Sequence, residues 1–215
     1  MLVLYAVVPA RHPSPAAGTT GQPLDVVSDG PVGVVVEQRD EPLPADRPTL
    51  LAFGETVQRL AEATTVLPVR FGTTVPDREA LRQLLRENAA RWQARLQAVT
   101  DKVEMVVHAD VGEALPDPAG DRASGRAYLL ARADAVHRAE AVTAGLLAAL
   151  RPVSHEQRLL RGRGGETRVA CLVGQAEVQR VERALADWSS AGEGRTAHIT
   201  GPWPPFSFTE EEPES

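Results

Sequence analysis

Arg161-Gly-Arg-Gly-Gly165 lies between two apolar runs, Val153–Leu159 and Thr167–Val173, and the element that follows it decides the fold. A glycine-rich phosphate loop must open into a helix whose first N–H groups hold the anion. Thr167–Val173 reads as a strand instead. The five residues are therefore a hairpin turn between two paired strands, and nucleotide binding loses the context it needs.

Outward from that hairpin the elements alternate. Upstream, Arg126–Leu150 reads as one long helix rich in Ala and Leu, stopped by Pro152. Before it, Lys102–Asp110 reads as a strand, with Val103, Met105 and Val107 inward and Glu104, Val106 and His108 between them. Downstream, Ala176–Trp188 is a helix closed by Ala191-Gly-Glu-Gly194, and Thr196–Thr200 is the last strand. Strand, helix, strand, strand, helix, strand is the split-βαβ, ferredoxin-like order.

The first half is a looser α/β unit of three strands and two helices. Leu2–Val8, Val32–Glu37 and Val66–Phe71 read as its strands, and Pro68 assigns the third to an edge or a bulge. Pro9–Pro23 is a loop by composition. Pro48-Thr49 opens a helix with Leu50, Leu51, Val57, Leu60 and Ala61 on its apolar face, weakened locally by Gly54. Asp77 caps a second helix carrying Leu81, Leu84, Leu85, Trp92 and Leu96 at helical spacing. Arg78, Arg82, Arg86, Arg91 and Arg95 read as its solvated polar face. The fold class is thus α/β (α+β), in two domains: an N-terminal α/β domain at 1–100 and a C-terminal ferredoxin-like βαββαβ domain at 101–208. An acidic tail at 209–215 is expected to be disordered.

Composition narrows the function. The chain of 215 residues is 43% hydrophobic and 24% charged, ordinary for a globular protein, with aromatics at only 4%. A net charge of -6 disfavours nucleic acid and anionic membrane as partners. The ferredoxin-like fold can bind RNA, but that use needs aromatics on the sheet, and these strands carry almost none. Met1–Val8 lacks the basic region and cleavage site of a signal peptide, and no apolar stretch has the length of a membrane span; a cytoplasmic location is expected before any assembly. Cys171, the single cysteine, reads as a small buried hydrophobe. His108, His137, His155 and His198 fall on separate elements without metal-ligand spacing, and no nucleophile elbow or zinc-protease motif occurs. Neither a catalytic residue, a cofactor site nor a metal site is expected.

Two stretches are more specific. Val66-Leu-Pro-Val-Arg-Phe-Gly-Thr73 resembles the LPxRFG strand-and-turn of the gas vesicle F/L proteins, and Thr200-Gly-Pro-Trp-Pro-Pro-Phe-Ser-Phe208 resembles their C-terminal TGPWPPYSF segment. Gly125-Arg-Ala-Tyr-Leu129 looks like a third family motif, and Tyr5 in the first strand also fits. Phe206 stands where Tyr is common, and the histidine that many members carry in the first helix has no counterpart near Phe53-Gly54. The resemblance implies a two-domain accessory or minor structural protein of gas vesicle assembly. It implies binding to the major, hydrophobic shell protein, which limits its aggregation during nucleation. It also implies a place at the gas-facing surface of the vesicle.

Within these motifs Arg70, Phe71, Trp203 and Phe206 are the candidates for partner binding or for an interdomain role. As a structural device, the proline-stiffened C-terminal segment would use Trp203 and Phe206 as buried anchors near Val66–Gly72. As a partner site, the same side chains would be exposed. The rival class is a small-molecule enzyme on an α/β scaffold, which needs a polar pocket near Arg70 or His155. A regulatory binding module that does not co-purify with vesicles is a second rival.

Overall fold

A computed structural model describes residues 1–11, 18–110, 125–162, 166–192 and 195–210; the side chains of 125–128 and 131 are outside that description, so the Gly125–Leu129 motif is known only as backbone up to residue 128. The expected disorder at 211–215 and the tip of the 161–165 turn likewise lie outside the described residues. The chain divides into two compact units, Met1–Lys102 with Trp203–Ser215, and Val103–Pro202.

The first unit is built on β1 (Leu2–Pro9), β2 (Leu24–Asp29), β3 (Val32–Gln38), β4 (Leu67–Pro68) and β5 (Thr74–Val75), with helices α1 (Arg47–Ala63) and α2 (Arg78–Val99). The sheet order is β2-β3-β1-β4, and β5 also pairs with β1. It holds five strands where three were expected. The sequence reading missed β2, because Asp25, Ser28 and Asp29 break its apolar run; it pairs with β3 across the Gly30-Pro31 turn.

β1 is buried along nearly its whole length. Its pairing with β3 slips between Leu4 and Ala6, so Tyr5 is an extra, bulged residue. The bulge shifts the side-chain alternation by one. Val3 and Tyr5, then Ala6 and Val8, all join one core with Phe53, Val57 and Leu60 of α1. Leu2, Leu4 and Val7 are left for the other face, and α2 packs on β1, β2 and β3 with Leu81 and Leu85 fully buried.

Both helices start where side chains can cap them. Asp46 accepts from the Thr49 N–H at 2.8 Å, with Pro48 in the first turn. Asp77 accepts from the Ala80 N–H at 2.8 Å, as read from the sequence. Two parts of the sequence reading change. Leu50 and Leu51 are exposed, and α1 buries Phe53, Thr56, Val57 and Leu60 instead. Arg95, read as part of a solvated face, is buried.

The second unit has β6 (Lys102–Asp110), α3 (Gly125–Leu150), β7 (Glu156–Leu160), β8 (Glu166–Gly174), α4 (Val178–Ser190) and β9 (Ala197–Trp203). Its sheet order, β7-β8-β6-β9, is that of the ferredoxin-like fold, and β7 and β8 pair as the expected hairpin. The core is mostly aliphatic, with the aromatic Trp188 joining it: Met105, Val107 and Ala109 meet Leu146, Leu150, Val169, Val181 and Leu185. Cys171 is buried among them. Burial, with the Glu104 charge adding, pushes its thiol from 9.0 up to about 12, which makes it a poor nucleophile. Among the described residues no helix is long and apolar enough to cross a membrane.

Candidate functional site

The first specific motif lies along one edge of β1. Leu67 and Pro68 pair with Val7 and Ala6, and the Val69 N–H donates to the Tyr5 carbonyl at 2.9 Å. The chain then turns at Arg70–Thr73. The Thr73 N–H and hydroxyl both donate to the Arg70 carbonyl, at 3.1 and 2.8 Å. Gly72 sits in that turn at φ +82°, where a side chain would be strained. The Leu4 N–H then donates to the Thr73 carbonyl at 3.0 Å and closes the loop against β1. The turn displays Arg70 to solvent and turns Phe71 half inward. Phe71 meets Phe53 edge-on at 5.3 Å between ring centroids, and Phe53 stacks on Tyr5 at 4.8 Å.

The second motif ends in this same unit. Pro204 and Pro205 are buried, and a single 3-10 turn over Phe206–Phe208 brings the chain in. Phe208 is the anchor, fully buried, and its carbonyl accepts a 2.5 Å hydrogen bond from Nε of Arg95. Trp203 and Phe206 do not serve as the buried anchors expected of them: they remain 46% and 42% exposed. A 3-10 turn of three residues has one inward face, and Phe208 occupies it.

The outward side of the segment forms a groove against α1. Leu50, Leu51, Gly54, Gln58, Trp203 and Phe206 are among its walls, and its volume is about 680 Å³. Gly54 opens the floor: a side chain there would meet nothing within 4 Å. A second hollow of about 370 Å³ lies on the other side of Phe206, lined by Leu50, Phe53, Pro68, Arg70 and Phe71 among others. Leu50, Gly54 and Phe206 border both. The structure thus gathers all four sequence candidates around two adjoining apolar hollows, with Glu55 and Arg59 on the wall of the larger and Arg70 at a corner of the smaller. Leu50, Leu51, Trp203 and Phe206 are large apolar groups left in water together, an arrangement that marks interaction surfaces. Leu129, Leu130 and Val136 are also exposed, on α3.

The rim of the groove is held by a buried polar cluster. Gly18 and Thr19 form part of the wall. The Tyr5 hydroxyl donates to Glu37 Oε2 at 2.5 Å and lies 2.8 Å from the Thr19 hydroxyl. Thr20 Oγ1 and Arg39 Nη1 donate to Glu37 Oε1 at 2.5 and 3.0 Å. Glu37 is fully buried, so each of these donors replaces lost hydration. Burial, then the hydrogen bond to Glu37, pushes the Tyr5 hydroxyl from 10.0 up to about 12. This cluster ties loop residues 18–20 to β1 and β3.

One further grouping escapes sequence reasoning. His108 and His198, read as scattered, stack with ring centroids 4.5 Å apart, and Glu166 reaches His108 Nδ1 at 3.0 Å. They line a separate hollow of about 470 Å³ in the second unit. His155 lies elsewhere, 3.9 Å from Glu177.

Comparison with known proteins agrees with the geometry. The sequence model of the gas vesicle synthesis protein GvpL/GvpF family matches residues 1–210. Gas vesicle protein F of Streptomyces sp. (strain CB03234) is 30% identical over 115 residues, 51% of this chain and 48% of that protein, so the match spans about half of that relative. The crystal structure of gas vesicle protein GvpF from Microcystis aeruginosa superposes with a TM-score of 0.77 at 15% identity, over 98% of this chain and 99% of that one. The crystal structure of GvpF from Anabaena sp. PCC7120 gives 0.79 at 16% identity, over 100% and 98%. At such identities the two structures speak for the fold.

Proposed function

This chain belongs to the gas vesicle GvpL/GvpF family, with a gas-vesicle role, and from that premise we propose that it supports vesicle assembly by binding the major hydrophobic shell protein in the groove over α1. The observation that carries this reading is the exposure of Leu50, Leu51, Trp203 and Phe206 around one concave apolar surface. A shell subunit with a strongly apolar face aggregates before it is built in, and a groove that covers part of that face delays aggregation. Burial of apolar area supplies affinity at about 25 cal/mol per Å² before the cost of association is subtracted. Arg70, at the corner of the adjoining hollow, supplies a charged contact that sets orientation. On this reading the chain ends at the gas-facing surface, where an apolar contact face is covered rather than left in water.

The test is direct. The purified chain is mixed with the major shell protein, and binding is followed by pull-down and by suppression of light scattering. Deletion of the gene then stops or distorts vesicles. Normal vesicles in a deletion strain without a compensating paralogue overturn the assembly role. Shell-protein binding that survives replacement of both Trp203 and Phe206 by Ala overturns the groove as the site. Labelling of intact against collapsed vesicles reports the side on which the protein lies.

A further inference from the structure

We propose that His108, Glu166 and His198 form a binding site for a divalent transition-metal ion, with Zn²⁺ the best match to the donors. The three residues stand on β6, β8 and β9, neighbours in the order β8-β6-β9. Their ligand atoms lie within 4.8 Å of one another. Two imidazoles and a carboxylate are a donor set that Zn²⁺ takes, with a remaining position for water.

One separation is already close to what an ion needs, and the third donor must swing in. Zn–N and Zn–O bonds of about 2.0–2.1 Å at tetrahedral angles place neighbouring donors about 3.3 Å apart. His108 Nδ1 and Glu166 Oε1 are already 3.0 Å apart. An ion between them needs a shift of a few tenths of an ångström. His198 is exposed on the edge strand β9, so its ring can turn out of the stack and direct a nitrogen inward. Behind His108, Nε2 is 3.4 Å from the Thr200 hydroxyl. That is the outer contact that orients a metal-bound imidazole. Asp110 lines the same hollow and adds negative potential at its mouth. Once bound, the ion ties the edge strand β9 to β6 and β8, and the second unit is stabilised by the binding energy.

The experiment uses the full, untagged chain stripped with a chelator. Zn²⁺ is titrated calorimetrically, and Co²⁺ is added separately to read the visible absorption of a tetrahedral site. One ion per chain is expected, with a rise in melting temperature. His198→Ala and Glu166→Gln should each weaken binding by at least about tenfold and reduce the Co²⁺ bands. Glu166→Gln keeps an acceptor for His108, which separates loss of a ligand from loss of a hydrogen bond. His155→Ala, a change to an exposed histidine elsewhere, should bind like wild type. The proposal is overturned if the wild-type chain takes up no Zn²⁺. It is equally overturned if both site variants, verified as folded by circular dichroism, bind as tightly as wild type.

Discussion

Arg95 donates from Nε to the carbonyl of Phe208, joining the middle of the sequence to the Phe206–Phe208 turn within one unit. Both residues are buried. Removing the guanidinium leaves a buried carbonyl short of a charged donor, so Arg95→Ala should cost about 2–3 kcal/mol. Phe208→Ala should cost more, about 3–5 kcal/mol, because it also leaves a cavity. Urea denaturation measures both. If neither midpoint moves, the chain end is not held by this pair.

Trp203→Ala and Phe206→Ala should behave in the opposite way. Each side chain is close to half exposed, so each variant should cost only about 1–2 kcal/mol, well below Phe208→Ala. Shell-protein binding should fall sharply in both. Equal losses of stability and binding would instead make the two residues part of the scaffold.

What was legible in the sequence follows from which interactions are local. The βαββαβ order could be read because Pro152, the 161–165 glycines and the apolar periods are local signals, and the Asp77 cap lies three residues from its donor, the Ala80 N–H. Arg95 was misread by residue type. Its spacing from Leu85, Trp92 and Val99 already puts it on the apolar stripe of α2, where only a buried partner makes a guanidinium tolerable. Leu51 was misread for the converse reason: it shares a stripe with Gly54, Glu55 and Gln58, which faces away from the sheet. The four candidates could be named from their motifs, but their convergence on α1 depends on how β4 pairs with β1. The His108–His198 pair depends on strand order in the same way, and no spacing along the chain encodes it.

The Tyr5 hydroxyl gives the protein an alkaline limit. Its folded-state value of about 12 is above the ordinary 10.0. Between those values the unfolded chain has released the proton and the folded chain still holds it. Stability from this group is therefore complete below pH 10.0 and is lost as pH rises toward about 12. Tyr5→Phe should flatten the fall in denaturation free energy across that window. At neutral pH the same variant should be less stable by about 1–3 kcal/mol, since the buried Glu37 loses a donor. A pH profile identical to wild type contradicts this assignment.

Cys171 should be silent to thiol reagents. It is buried, and its thiolate is disfavoured by burial and by Glu104. A disulfide-exchange reagent should label it only at the rate of unfolding, with full labelling in urea. Rapid labelling of the folded chain would mean that the second core opens far more readily than its packing implies.

Gly54 separates the groove from the fold. It lies inside α1, and a side chain built on it meets nothing within 4 Å. Gly54→Ala should therefore stabilise the protein by about 0.5–1 kcal/mol, by lowering the entropy of the unfolded chain and improving helix propensity. Gly54→Trp places a large ring into the space bordered by Leu50, Trp203 and Phe206. The fold should accept it, because the ring points into an open groove rather than a packed core. The partner should not, because the ring takes the volume its apolar face would enter. The expected pattern is a melting temperature at or above wild type for both variants, with shell-protein binding retained in Gly54→Ala and lost in Gly54→Trp. Calorimetry and pull-down on the same preparations read the two properties independently. A folded Gly54→Trp variant that binds the shell protein as wild type does would place the partner on another surface, and the exposed leucines of α3 would be the next to mutate.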